Sequence, residues 1–200
     1  MKKILLISFS LLCFLSCKKQ EPDNCNEYYY IYEDEKKYAG PINYGRVKLY
    51  FDKQTTTEEF RAIYEEYFGL KMETDFDTLA RAYGIPTKVD NCKSYQDLLK
   101  DLNSEPVIRA AIPVFEDIKI SYEISIEPVT GITEETFINY ISERYNVKCI
   151  NKNKYNQNYG FEILNIHTGF ESLTLSNEIY YDKKVKQARP AIYITITHWD

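Results

Sequence analysis

Glycine is scarce in this chain, with 7 in 200 residues, and none of the glycine runs that cradle phosphates is present. Histidine is scarcer still: His167 and His198 are the only two. No serine is flanked by glycines as a nucleophile would be, so the parts of a Ser-His-Asp triad are missing. His167 falls at the end of an alternating strand, where a surface position is the ordinary outcome. Positive charge is also short. Against 25 Lys and Arg stand 30 Asp and Glu, a net charge of −5, and no basic stripe is available for a phosphate backbone; nucleic acid is not an expected partner. Past residue 16 no apolar run approaches the roughly 20 residues needed to cross a bilayer. The acidic residues form no catalytic or metal pattern. Glu58, Glu59, Glu65 and Glu66 belong to the solvated side of one helix. Asp75-Phe76-Asp77 lacks the further oxygens and the glycine of a calcium loop. These absences leave no catalytic residue, metal or cofactor to assign, and they point away from an enzyme.

What is present begins with a leader. Lys2 and Lys3 precede the apolar stretch 4–15, and residues 1–16 read as a signal peptide, too short for a transmembrane helix. The leader ends Phe14-Leu15-Ser16-Cys17, which resembles the bacterial lipobox, with Phe14 where leucine is commonest. The resemblance implies cleavage before Cys17 and lipidation of its thiol. The chain would then be exported and held to the cell-envelope membrane by acyl groups, each buried methylene contributing about 0.8 kcal/mol. Losing Lys2 and Lys3 takes the net charge from −5 to −7. Residues 17–26 are polar, carry Pro22 and read as a flexible tether. Cys25, Cys92 and Cys149 remain in the mature chain, and export permits a disulfide. Their spacing fits no zinc ribbon or redox pair. Cys25 with Cys92 is the only bridge worth considering. Cys149, in Val147-Lys148-Cys149-Ile150, reads as a small buried hydrophobe.

The 19 tyrosines and 10 phenylalanines supply material for a core. Tyr28-Tyr29-Tyr30-Ile31-Tyr32 is a strand by composition, Glu33 to Lys37 a charged turn, and a partner strand is expected near Tyr38: a β-hairpin over residues 27–44. The chain then repeats itself. Val47, Leu49 and Phe51 alternate as on a half-buried strand, and so do Tyr122, Ile124 and Ile126. Each strand leads to a helix. The first has Thr56 and Glu59 as a capping box, an apolar face of Phe60, Ile63, Tyr64 and Tyr67, and Gly69 as its left-handed stop. The second has Thr133, a face of Phe137, Tyr140 and Ile141, and Asn146. Cap, phenylalanine and stop all recur at an offset of 77 residues (56 to 133, 60 to 137, 69 to 146). Second strands follow at Leu70-Lys71-Met72 and Val147-Lys148-Cys149, and third strands at 79–85 and 161–166. Second helices follow in turn, one capped by Ser94 with Tyr95, Leu98, Leu99 and Leu102 on one face, the other over 172–182. Closing strands are 107–115 and 185–199. The order β-α-β-β-α-β, twice, predicts an α+β chain of two tandem ferredoxin-like units with antiparallel sheets, 45–116 and 117–200.

The second unit resembles the N-terminal region that precedes the catalytic domain in certain bacterial subtilisin-like serine peptidases. The residues that carry this are 118–126, Tyr145-Asn146-Val147, 153–161, and above all Asn177-Glu178-Ile179-Tyr180-Tyr181 followed by Ala188-Arg189-Pro190, where Arg189 stands for the family's acid. In the first unit, 28–36 is similar to the opening Tyr-rich hairpin and 98–114 to the helix leading into a strand. In that family the region acts as a propeptide, assisting protease folding and covering the active site with its last strand's tail. With the sequence closing at Asp200, the resemblance implies a propeptide-like region standing without its catalytic domain. It implies a non-enzymatic module that binds, inhibits or chaperones a subtilisin-like protease or another exported protein. The extended tail carrying Ile194, Ile196, His198 and Trp199 is the candidate contact. The alternative is a structural or adhesive cell-envelope lipoprotein.

Overall fold

The computed structural model describes residues 25, 27–71, 82–153 and 157–192; the stretch expected to be a signal peptide, Cys17 and most of the expected tether lie outside them. The chain is an α+β protein with four helices among the described residues and antiparallel sheets. Strands β1 (Tyr29–Tyr32) and β2 (Glu35–Tyr38) form the expected hairpin. Its turn is shorter than composition suggested, because Lys36 and Lys37 pair with Ile31 and Tyr30 instead of looping out. The Lys36 ammonium lies 4.4 Å from the Tyr29 ring centre, so its charge is accommodated on the strand's flank.

In the first sheet β3 (Ile42–Phe51) lies between β4 (Ala82–Pro86) and β5 (Ile108–Phe115). The expected boundary between hairpin and unit, after residue 44, therefore falls inside a strand. Val47, Leu49 and Phe51 are buried, as alternation required. Helix α1 (Thr57–Phe68) has both halves of its capping box, with the Thr56 N–H donating to the Glu59 carboxylate at 2.8 Å and the Glu59 N–H to the Thr56 hydroxyl at 3.3 Å. Gly69, at φ 63, ends it. Phe60 and Ile63 are buried as predicted, but Phe68 joins them where Tyr67 was expected. The Tyr67 hydroxyl instead turns out to meet Glu105 at 2.5 Å. Leu70 and Lys71 form no strand, and Met72 with residues 73–81 lies outside the description. Helix α2 (Cys92–Ser104) begins earlier than predicted. Asn91, not Ser94, is its cap: the Asn91 side chain accepts the Ser94 N–H at 2.9 Å. Tyr95, Leu99 and Leu102 are its buried face.

The second sheet has the order β7 (Val147–Lys152), β8 (Tyr159–Ile163), β6 (Ile120–Pro128), β9 (Val185–Ile192), antiparallel throughout. Helix α3 (Glu134–Tyr145) is capped by Thr133 and closed by Asn146 in the left-handed region. Helix α4 (Glu171–Tyr180) has no side-chain cap of its own; Glu171 instead accepts the His167 and Thr168 N–H groups, tying the preceding loop. His167 is exposed, as predicted. Cys149 is half-buried on edge strand β7, not a core residue, because a sheet edge has covering neighbours on fewer sides.

Ile124 faces Phe161 and Pro190 across the sheet, and Ile126 faces Tyr159 and Ala188. Phe137 of α3 packs on the same side, its ring centre 5.5 Å from that of Tyr159 and 6.3 Å from that of Phe161. The opposite side carries Glu123, Ser125 and Glu127, paired with Glu162, Gly160 and Gln187. One apolar core nevertheless runs through both sheets and the hairpin. The loop before α4 is a junction. Gly169, at φ +81, comes so close to β5 that an added Cβ would lie 2.5 Å from the Ala111 carbonyl oxygen. Phe170 stacks on Tyr28 at 3.9 Å. The Cys25–Cys92 bridge, with Cα atoms 5.6 Å apart, fastens the start of the described chain to α2. Closing a loop of 67 residues stabilises a fold by about 4 kcal/mol.

Candidate functional site

The hairpin turn meets α4 and β9 at a cleft of about 500 Å3. The turn residues Glu33 and Asp34 have φ 51 and 63, a two-residue left-handed turn of the kind that usually carries Asn-Gly. Aspartate tolerates this region, glutamate less so, and the surrounding structure holds the turn. The Tyr180 hydroxyl donates to the Asp34 carboxylate, and the Glu33 N–H donates to the Gln187 side-chain oxygen at 3.4 Å. That bond to Asp34, followed by burial, pushes the Tyr180 hydroxyl above its ordinary pKa. Arg189 lies over the Tyr32 ring at 5.0 Å, and Lys186 reaches Glu127 at 2.6 Å.

Strand β1 presents its outer edge to these elements, and two primary amides satisfy it. Asn177 donates to the Tyr29 carbonyl at 2.9 Å and accepts the Ile31 N–H at 3.0 Å. Gln187 donates to the Ile31 carbonyl at 3.1 Å and accepts the Glu33 N–H. One amide bridges each carbonyl and the N–H two residues on, the pattern a parallel partner strand would make. Asn103 of α2 performs a similar closure on β5, donating to the Ala111 carbonyl at 2.9 Å and accepting its N–H at 2.7 Å. Both strand edges are thereby blunted against further pairing.

Around the cleft, carboxylates, cations and rings are matched to one another, and among the described residues its lining holds no serine, cysteine or histidine. Among the described residues no group of His, Cys, Asp and Glu could hold a metal ion, and no helix is long and apolar enough to cross a membrane.

Cys17 and the tail residues Ile194, Ile196, His198 and Trp199 all lie outside the described residues; β9 ends at Ile192, two positions before Ile194. Asn177, Gln187 and Asn103 were not singled out as edge ligands, since a lone amide in a helix or strand has no periodic signature. No protein-family model matches this chain. No curated protein matches it either.

Proposed function

We propose that this chain is an exported, lipid-anchored binding module of two tandem ferredoxin-like units, and that it holds a subtilisin-like protease or another exported protein. The observation that carries the reading is the second sheet. Its order, β7-β8-β6-β9, all antiparallel and threaded β-α-β-β-α-β, is the one the ferredoxin-like plan requires. The first sheet, β4-β3-β5, fits the same order with its second position unassigned among the described residues. The Cys25–Cys92 bridge suits an oxidising compartment, in keeping with a signal peptide and anchoring through Cys17.

Contact with the partner is assigned to the polar side of the second sheet, around Ser125 and Glu127, and to the tail from Ile194. Strand addition at β1 or β5 is disfavoured, because side-chain amides occupy both edges. The cleft between Tyr32 and Tyr180 favours a second reading, an adhesive envelope lipoprotein whose ligand sits there. Capture experiments separate the two. The soluble form, residues 18–200, is expected to retain a subtilisin-like peptidase from envelope extract and inhibit it near stoichiometrically. Deleting 194–200 or introducing Ser125→Arg should reduce inhibition at least tenfold. Recovery of no peptidase and no inhibition would remove the protease-binding reading and leave the adhesive one.

A further inference from the structure

The polar side of the second sheet is hollowed along β6. Three concavities, of about 420, 220 and 500 Å3, follow one another there. Glu123, Ser125 and Glu127 are alternate residues of that strand, so their side chains leave the same face of the sheet. Glu123 lines the first and second concavities, Ser125 the second and Glu127 the third. Asn158 lines both the second and the third. Shared walls make the three one groove, and Glu123 to Glu127 alone spans about 13 Å of extended chain.

Each end carries a pair of half-buried tyrosines: Tyr50 and Tyr122 at the seam between the sheets, Tyr32 and Tyr180 beside the hairpin. Between them the floor is small and polar. Ser125 pairs with Gly160, and Gly160 with Asn151. A Cβ on Gly160 would lie 2.5 Å from the Asn151 side-chain oxygen, so the glycine is what lets that amide lie across the sheet. Hydroxyls and amides both donate and accept hydrogen bonds.

The construction narrows the occupant. Strand β6 lies between β8 and β9, so its main chain is committed to its neighbours and a peptide strand finds no edge there. Glu33, Glu123 and Glu162 are among the lining residues, which disfavours a polyanion. Charges on the walls are matched within the protein: Lys186 with Glu127, Arg109 with Glu162, and Asp34 with the Tyr180 hydroxyl. An elongated, uncharged ligand with many hydroxyls, and with apolar C–H faces for the tyrosine rings, meets each of these conditions. We infer that the groove binds a linear neutral glycan, its ends stacked on the two tyrosine pairs and its middle held by Ser125, Asn151 and Asn158. The inference rests on the adhesive reading and gives its ligand a chemical class.

Titration of the full chain with cellohexaose, xylohexaose and mannohexaose, read by calorimetry and amide shifts, tests it. At least one should bind saturably below about 1 mM, with shifts at Ser125 and Gly160. Its monosaccharide, which reaches one concavity only, should bind at least tenfold more weakly. So should hexagalacturonate, which carries a charge on every ring. Ser125→Tyr fills the middle of the groove and Tyr32→Ala removes a platform from one end; each should weaken binding at least tenfold. If Ser125→Tyr does not fold, Tyr32→Ala decides alone. Binding of none of the three at about 10 mM, or an affinity matched by hexagalacturonate or unchanged by the substitutions, would overturn the inference. Capture from envelope extract separates that outcome from failure of the adhesive reading. Material retained equally before and after periodate, which cleaves vicinal diols, would keep the adhesive reading and remove the glycan. Retention of a peptidase alone, with no hexasaccharide bound, would remove both and leave the protein partner.

Discussion

Asp182 shows how a single side chain organises its neighbourhood. Its carboxylate is 3% exposed in the turn between α4 and β9. It accepts the Lys184 N–H at 2.9 Å and the hydroxyls of Tyr140 and Tyr145 at 2.7 and 2.8 Å, and Arg144 lies 3.4 Å away. Burial alone would push its pKa up; the Lys184 amide, the two hydroxyls and Arg144 outweigh that and hold it below the ordinary value. A carboxyl more acidic in the folded than in the unfolded chain stabilises the fold above the unfolded pKa, near 4. That stability is lost as the pH falls through the folded pKa. Asp182→Ala should therefore cost about 2 kcal/mol at neutral pH. In urea denaturation, the gap between parent and variant should narrow as the pH drops below about 4. A gap that widens on acidification would contradict this role.

Among the elements, the hairpin depends most on its surroundings. An isolated two-stranded hairpin is marginal in water, and this one has a turn without glycine. It persists because Asn177 and Gln187 complete its outer edge, Tyr180 holds its turn, and Tyr28, just before β1, stacks on Phe170. Asn177→Ala or Gln187→Ala should each lower stability by about 1 kcal/mol. The Ile31 amide should exchange faster with solvent in the first variant and the Glu33 amide in the second, as hydrogen exchange read by NMR would show. Equal protection in parent and variants would mean that the amides do not carry the edge. Helices α1 and α3 contrast with the hairpin. Their caps lie within four residues of the groups they satisfy, so Thr56, Glu59 and Thr133 could be read directly from the chain. Asn91 escaped that reading because Ser94, three residues on, is also a capping residue type, and only the backbone path selects between them.

Across the whole molecule, an ion pair and a set of rings link the two sheets beside their shared apolar core. Arg109 of β5 pairs with Glu162 of β8, whose side chain is 8% exposed. Arg109 also lies 5.6 Å from the Tyr122 ring, which in turn meets Tyr50 of β3 at 4.7 Å. Removing the cation leaves a carboxylate buried without its partner, so Arg109→Ala should destabilise by about 3 kcal/mol. Adding Glu162→Gln to that variant should restore part of the loss. A double-mutant cycle in urea measures the coupling, and additive costs would show that the two sheets are joined by apolar packing alone.

The sequence by itself determined what depends on near neighbours. The alternation of Val47, Leu49 and Phe51 set which side of β3 is buried, because side chains on a strand alternate between faces. The N-caps and left-handed stops placed α1 and α3, because helix ends are satisfied within a turn. The repeat at offset 77 carried the order of elements, though not the short turn at Glu33-Asp34 or the missing strand at Leu70-Lys71. Tertiary structure alone decided which edges are closed and which groups share a cleft. Gln187 reaches Ile31 across 156 positions, and Asn177 reaches Tyr29 across 148. Arg46 and Lys48 of β3 line one pocket with Lys119 of the linker between β5 and β6. Such contacts are made by the path of the backbone after packing, and an amide or a lysine carries no pattern in the chain that says which distant backbone group it will meet.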